Sequence, residues 1–296
     1  MNNLPNEWLI SRQSRINKFI KKKFDKKDSS TTISKASNYA LLNGGKRFRA
    51  LLVYAIGAID NTDKDQLDFI AASIEIIHAY SLIHDDLPDM DNDSLRRGLP
   101  SCHIKYGVAQ AILAGDALQC LAFEILSSGD FKISDQQKIN LIAQLSKAIG
   151  IEGMVLGQSL DMESSNKRIN EKLLEKIQKN KTGQLIHASC TMPYSISKNF
   201  DTSVNILISR FSLLLGQLYQ IVDDILDNSS TSECLGKTSG KDQDAKKATY
   251  VSIVGIDETI KIKDNLYLNL KENLSLIPGN TKILSHLTDK IYSREY

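Results

Sequence analysis

Along most of the chain, apolar residues recur every three or four positions. In residues 67–82, Ile70, Ile74, Ile77 and the small Ser81 share a helical row, with Ala71 and Ala72 on adjoining rows. Residues 109–126, 139–156, 173–192 and 204–226 show the same period. No run of six alternates apolar with polar between turn signals, so no strand is predicted. The breaks at 60–65, 127–135, 164–170 and 275–280 are short and polar, and Asp65, Ser134 and Asn170 fit helix N-caps. The pattern predicts an all-α fold.

Composition agrees: 5 prolines and 16 glycines in 296 residues suit long helices better than a turn-rich sandwich. With no internal repeat and no linker, a single helical domain over 1–296 is expected. The net charge of +2 gives no global attraction to nucleic acid, so phosphate affinity must come from local clusters. Cys102, Cys120, Cys190 and Cys234 have no metal-binding spacing and read as reduced thiols of a reducing compartment. The start, MNNLPNEWLI, has no secretory pattern. The best membrane candidate, 204–222, is interrupted by Asn205, Arg210, Gln217 and Gln220 and reads as a buried helix. A cytoplasmic protein without membrane insertion is expected. Residues 12–27 carry eight Lys or Arg against Asp25 and read first as a solvated face, with membrane or nucleic-acid binding as the lesser reading. The polar segment 228–248 is too long for a simple connection and reads as a lid or a disordered loop.

Two acidic clusters close apolar helices: Asp85, Asp86, Asp89, Asp91 and Asp93, and then Asp223, Asp224 and Asp227. Carboxylates at a helix C-terminus face the negative end of its dipole and repel one another, so each cluster calls for cations. Magnesium suits this, because it bridges a few carboxylates to substrate phosphates. Asp223 and Asp227 share a helix face, whereas Pro88 must end the first helix and lets Asp91 return toward Asp85. Neither cluster has EF-hand spacing. Arg96 and Arg97 follow the first cluster, Gly44-Gly45-Lys46-Arg47-Phe48-Arg49 opens an earlier helix, and Lys237, Lys241, Lys246 and Lys247 lie in the 228–248 segment. Cations beside metal-binding acids point to a polyphosphate ester as substrate.

The motifs GGKRFR (44–49), HAYSLIHDDLPDMDNDSLRRG (78–98), PSCHIKYG (100–107), AGDAL (114–118), GMVLGQSLDM (153–162), KTGQL (181–185), YQIVDDILD (219–227) and GKTSGKDQDAKKATY (236–250) resemble those of the trans-polyprenyl diphosphate synthases. Within that family they are most similar to the bacterial farnesyl diphosphate synthases. The resemblance implies an isoprenoid-synthase bundle around a deep central cavity with both clusters at its mouth. It also implies a homodimer and a magnesium-dependent (Mg2+) condensation of isopentenyl diphosphate with dimethylallyl and geranyl diphosphates to give farnesyl diphosphate.

Carried over by residue, it implies that Gly45, Lys46, Arg49, His78 and Arg97 hold isopentenyl diphosphate. Asp85 and Asp91 would ligate magnesium with Asp86 in support, and Asp223, with Asp224 beside it, would ligate a further ion. Arg96, Lys181 and Lys237 would contact the allylic diphosphate, with Lys247 among the substrate-binding residues. Thr182 and Gln220 would direct oxygen dipoles at the allylic cation. Asp89 stands where a small residue is usual and Val251 where proline is common, so a metal contact by Asp89 stays open.

Tyr80, five residues before Asp85 and so about 7–8 Å down the helix, would with Ser81 set product length. A geranylgeranyl or longer-chain synthase is the alternative. A cyclase would not need Lys46, Arg49 and Arg97, and a non-catalytic subunit would not need both acidic clusters. His84 and His103 read as structural, Tyr219 and Phe211 as core. Gln158 and Asp161 are placed either as support for the site or as plain surface of their helix.

Overall fold

The structure, a computed structural model, describes residues 4–25, 27–229 and 248–294. They are overwhelmingly helical, as the periodicity predicts, and group into two compact units: residues 1–54 with 63–142, and residues 55–62 with 143–296.

The first unit holds α1 (Leu4–Phe24), α2 (Thr32–Leu42), the start of α3 (Phe48–Gly57), α4 (Lys64–Asp85), α5 (Cys102–Tyr106), α6 (Val108–Ser127) and the start of α7 (Asp135–Ile149). Its core is built on α4, which is buried on every side from Leu67 to Ile77. A helix apolar all round is stable only when enclosed, and its polar residues must then find partners. They do. Ser73 Oγ donates to the carbonyl of Phe69 and to that of Ala122 on α6, both at 2.9 Å. Asp68 accepts from Arg15 and from the Tyr54 hydroxyl. Glu75 accepts from the Ala50 amide at 2.9 Å and faces Arg47 at 3.6 Å.

By length and composition α4 and α6 are apolar enough to cross a membrane, which the 204–222 run is not. In α4 that apolarity lies within the unit's core. Part of the basic 12–27 face is likewise taken up internally: Arg15 by Asp65 and Asp68, Lys23 by Asp130, Lys27 by Glu124. Lys18, Lys21 and Lys22 stay exposed.

One short element corrects the expectation of no strand. Leu95–Arg96 (β1) pairs antiparallel with Leu99–Pro100 (β2). The turn between them is Arg97 (φ 56°) and Gly98 (φ 75°), two left-handed residues of the kind that tight hairpins require. Strands of two residues are too short to leave an alternating pattern.

The second unit comprises α8 (Met154–Ser164), α9 (Glu171–Gln178), a π-turn (Lys179–Gly183), α10 (Gln184–Ser195), α11 (Thr202–Ser229), α12 (Tyr250–Val254), α13 (Ile256–Leu276) and α14 (Lys282–Tyr292). α11 packs on α10 and α13, and Ile208, Phe211, Leu215, Leu218 and Val222 are buried along it at helical spacing. Two predicted helices are interrupted. The 139–156 run breaks between α7 and α8, where a Cβ on Gly153 would lie 2.1 Å from the Ala148 carbonyl oxygen. The 173–192 run is crossed by the π-turn. Asn170 caps α9 by accepting from the Leu173 amide at 3.0 Å, and Ser134 and Gln137 cap α7 reciprocally. For α4 the cap is Asp63, which accepts from the Asp65 amide, and Asp65 stands in the first turn.

Candidate active site

In the first unit α4 ends at Asp85, and the following loop folds back as Pro88 requires. The Asp91 amide donates to the Asp85 carbonyl at 2.9 Å, which sets these two residues side by side. Both are half-buried and Asp89 is exposed. Asp86 turns inward. Arg96 grips it with Nε at 3.0 Å and with Nη2, and reaches Asp93 at 3.4 Å. Burial pushes the Asp86 carboxyl up to about 6; Arg96 opposes this, and the charges of Asp93 and Asp85 add to it.

Beside the acids stands a cationic group. Arg97, set by its left-handed backbone, donates to the Gly44 carbonyl at 2.5 Å. Its guanidinium lies flat on Gly45, where a Cβ would be 2.9 Å from Arg97 Cζ. The Gly-Gly pair is thus the seat of this arginine. Arg49 is 9% exposed, and its buried Nε has no hydrogen-bond partner. His78 is held neutral, its proton affinity driven well down by burial and then by Arg49, Arg97, Arg96 and Arg47.

Arg47 itself is structural. It donates to the Leu41 carbonyl at 2.5 Å and to Asn17 at 2.8 Å and faces Glu75. Lys46 is exposed. Ser81 donates to the His78 carbonyl. Tyr80 is 6% exposed on α4, edge-on to His84 at 5.6 Å. His84 in turn bonds the Ile112 carbonyl and lies against Gly115 of α6. His84 is thus bonded within its unit, as expected, and His103 is buried beside Ser101.

In the second unit the last turns of α11 carry Gln220, Asp223, Asp224 and Asp227. Asp224 is buried and accepts from Gln178 at 3.0 Å and from the Tyr250 amide at 2.8 Å, bracing α9 and α12 against α11. Burial pushes its carboxyl up to about 7, and the charges of Asp223 and Asp227 add to this against those two bonds. Asp223 is half-buried and accepts from Arg294 at 2.5 Å, and the Arg294 guanidinium also lies over the Tyr219 ring. Tyr219 is therefore half-buried rather than core. Lys181 and Thr182 lie in the π-turn, both half-buried, and Lys181 reaches Asp161 at 2.7 Å. Lys237, Lys241, Lys246 and Lys247, with most of the 228–248 segment, lie outside the described residues.

Among the described residues no three acidic, histidine or cysteine side chains converge on one metal position. This donor set fits magnesium, which takes one or two carboxylates and fills its remaining positions with phosphate and water. Sequence reasoning missed Gln178 and Arg294 as partners of the acids, and it placed Asp93 in the first cluster without its tie to Arg96. Asp93, three residues before Arg96, left a local signal, whereas Arg294, 71 residues from Asp223, left none.

Residues 30–277 match the family described as polyprenyl synthetase. The chain is 44% identical over 279 residues to a farnesyl diphosphate synthase of Haemophilus influenzae, covering 94% of each protein. A geranyltransferase structure from Legionella pneumophila superposes with a TM-score of 0.89 at 32% identity, covering 99% of this chain and 98% of that one. A Helicobacter pylori geranyltransferase complexed with magnesium and isoprenyl diphosphate gives 0.83 at 31% identity, covering 98% and 97%. The chain belongs to the polyprenyl synthetase family.

Proposed function

We propose that the chain is a magnesium-dependent prenyltransferase that extends dimethylallyl and then geranyl diphosphate with isopentenyl diphosphate to farnesyl diphosphate, releasing pyrophosphate at each step. The observation that carries this reading is the pairing, in one unit, of the Asp85–Asp91 loop with a buried cationic group whose Arg49 Nε has no partner. The two binding chemistries differ: one suits a diphosphate that arrives with a metal, the other a diphosphate that is bound by cations directly. A family match spanning 30–277 crosses both units and supports one synthase domain over 1–296.

In this reading Asp85 and Asp91 hold magnesium in the first unit and Asp223 holds it in the second. Bound magnesium supplies charge neutralisation for the departing diphosphate. Arg96, Lys181, Lys237 and Lys247 bind and orient the allylic diphosphate, with Asp86 and Asp224 bracing the acidic groups. When the allylic C1–O bond breaks, the Thr182 and Gln220 oxygens face the cation without bonding to it. The double bond of isopentenyl diphosphate, held by Gly45, Lys46, Arg49, His78 and Arg97, then attacks C1, and a proton passes to the released pyrophosphate. The exposed apolar face of α6, with Val108, Ile112 and Leu113, supports a second copy as its cover and hence a homodimer.

Arg97→Ala tests the division between the two sites. It removes a guanidinium from the cationic group and leaves the acidic loop intact. The Michaelis constant for isopentenyl diphosphate is expected to rise well above that of wild type, with little change for the allylic substrate. Equal effects on both would mean that the two diphosphate sites are wrongly apportioned.

A further inference from the structure

Between α9 and α10 the chain stays helical, yet Lys179–Gly183 winds as a π-turn. Such a turn inserts a residue into an α-helix and is frequent at functional sites. Bare backbone grips it from two helices. A Cβ on Gly157 of α8 would lie 2.0 Å from the Lys181 amide nitrogen and 2.5 Å from its Cα, and one on Gly216 of α11 would lie 3.1 Å from the Gly183 Cα. The backbone of Lys181 is thus seated directly on α8. Its side chain is held by the same helix. Asp161, one turn beyond Gly157 on the same face, accepts from Lys181 Nζ at 2.7 Å. The two side chains are only 16% and 24% exposed.

Lysine has a long, flexible stem and three ammonium donors, and the bond to Asp161 takes up one of them. A lysine left loose would have to be ordered by the arriving anion, at the expense of affinity. We infer that Asp161 is a positioning residue for prenyl transfer. With Gly157 as the backbone seat, it orders the Lys181 ammonium before the allylic diphosphate arrives. The inference rests on the reading of Lys181 as a diphosphate contact. In this role Asp161 acts through Lys181 and does not itself touch substrate.

Two other roles for the pair make different predictions. A plain structural tie between α8 and the π-turn would affect melting but not ligand affinity. A competitor that neutralises Lys181 would weaken anion binding, so that its removal would tighten it. The test is calorimetric binding of inorganic pyrophosphate in the presence of magnesium to wild type, Asp161→Asn, Lys181→Ala and the double variant. Michaelis constants for both substrates are measured alongside.

Asp161→Asn is expected to weaken pyrophosphate about tenfold and to raise the allylic Michaelis constant while leaving that for isopentenyl diphosphate in place. In the Lys181→Ala background it should add nothing. If Asp161→Asn binds as tightly as wild type, or more tightly, while Lys181→Ala binds weakly, the inference is overturned and the reading of Lys181 stands. If Lys181→Ala itself binds like wild type, that reading falls and the inference with it. Should the asparagine variant not fold, Asp161→Glu carries the test, because it moves the carboxylate by one methylene. Its affinity is expected between those of wild type and Lys181→Ala, and an affinity equal to wild type would overturn the inference.

Discussion

Asp85→Ala is expected to lower turnover by orders of magnitude while leaving the fold intact. The two effects separate because the carboxylate stands where the fold does not favour it. It lies at the C-terminal end of α4, against the negative end of the helix dipole, and its charge raises the proton affinity of buried Asp86. Removing it relieves that repulsion. The loop itself is kept, because Asp91 is tied to Asp85 through the backbone carbonyl, which alanine retains. What is lost is a carboxylate proposed to hold the metal-bound diphosphate, an interaction that matters most as the leaving group departs. Steady-state turnover and a melting curve on the same preparation check both halves. Near-normal turnover in a folded variant would remove Asp85 from the machinery.

Tyr80→Ala is expected to shift the main product from fifteen carbons to twenty or more. Tyr80 lies on the helix that ends in Asp85, about 7–8 Å from it along the axis, and its side chain leans further toward the helix start. The ring is buried and does not move freely: it packs edge-on against His84, which is fixed by the Ile112 carbonyl and the bare backbone of Gly115. A fixed ring at that depth can stop a growing prenyl tail. Truncating it costs about 3 kcal/mol or somewhat more, so the melting curve should fall but folding should survive. Tyr80→Phe keeps the ring and should keep the product. Product analysis by chain length decides the matter, and a folded, active Tyr80→Ala variant that still stops at fifteen carbons would show that Tyr80 does not set product length.

Much of the architecture can be read from particular residues. The 67–82 helix is legible because Ile70, Ile74 and Ile77 recur in one helical row with Ala71 and Ala72 beside it, and the end of α4 is legible because Pro88 cannot continue it. Asn170 announces a cap by local chemistry alone. The turn at 150–153 is hidden because apolar spacing runs on through Gly150 and Gly153. The π-turn is hidden because one inserted residue scarcely disturbs the period of 173–192. The β1–β2 hairpin is shorter than any pattern that could reveal it.

The site divides in the same way. Clustered charge is visible in sequence, so the acids and the Gly-Gly-Lys-Arg-Phe-Arg run stand out. Their partners are distant in the chain: Lys181 lies 20 positions from Asp161, and Arg294 lies 71 positions from Asp223. Only the fold brings them together. The same is true of the two arginines flanking Phe48: Arg47 is drawn into the core by Glu75, Asn17 and the Leu41 carbonyl, whereas the Nε of Arg49 has no partner.

The most direct test of the proposed activity is to incubate the purified protein with dimethylallyl and isopentenyl diphosphates and magnesium, and to identify the products. The account predicts farnesyl diphosphate with release of pyrophosphate, lost in excess chelator and restored when magnesium is added back. Absence of any prenyl product, or product that persists in excess chelator, would contradict it.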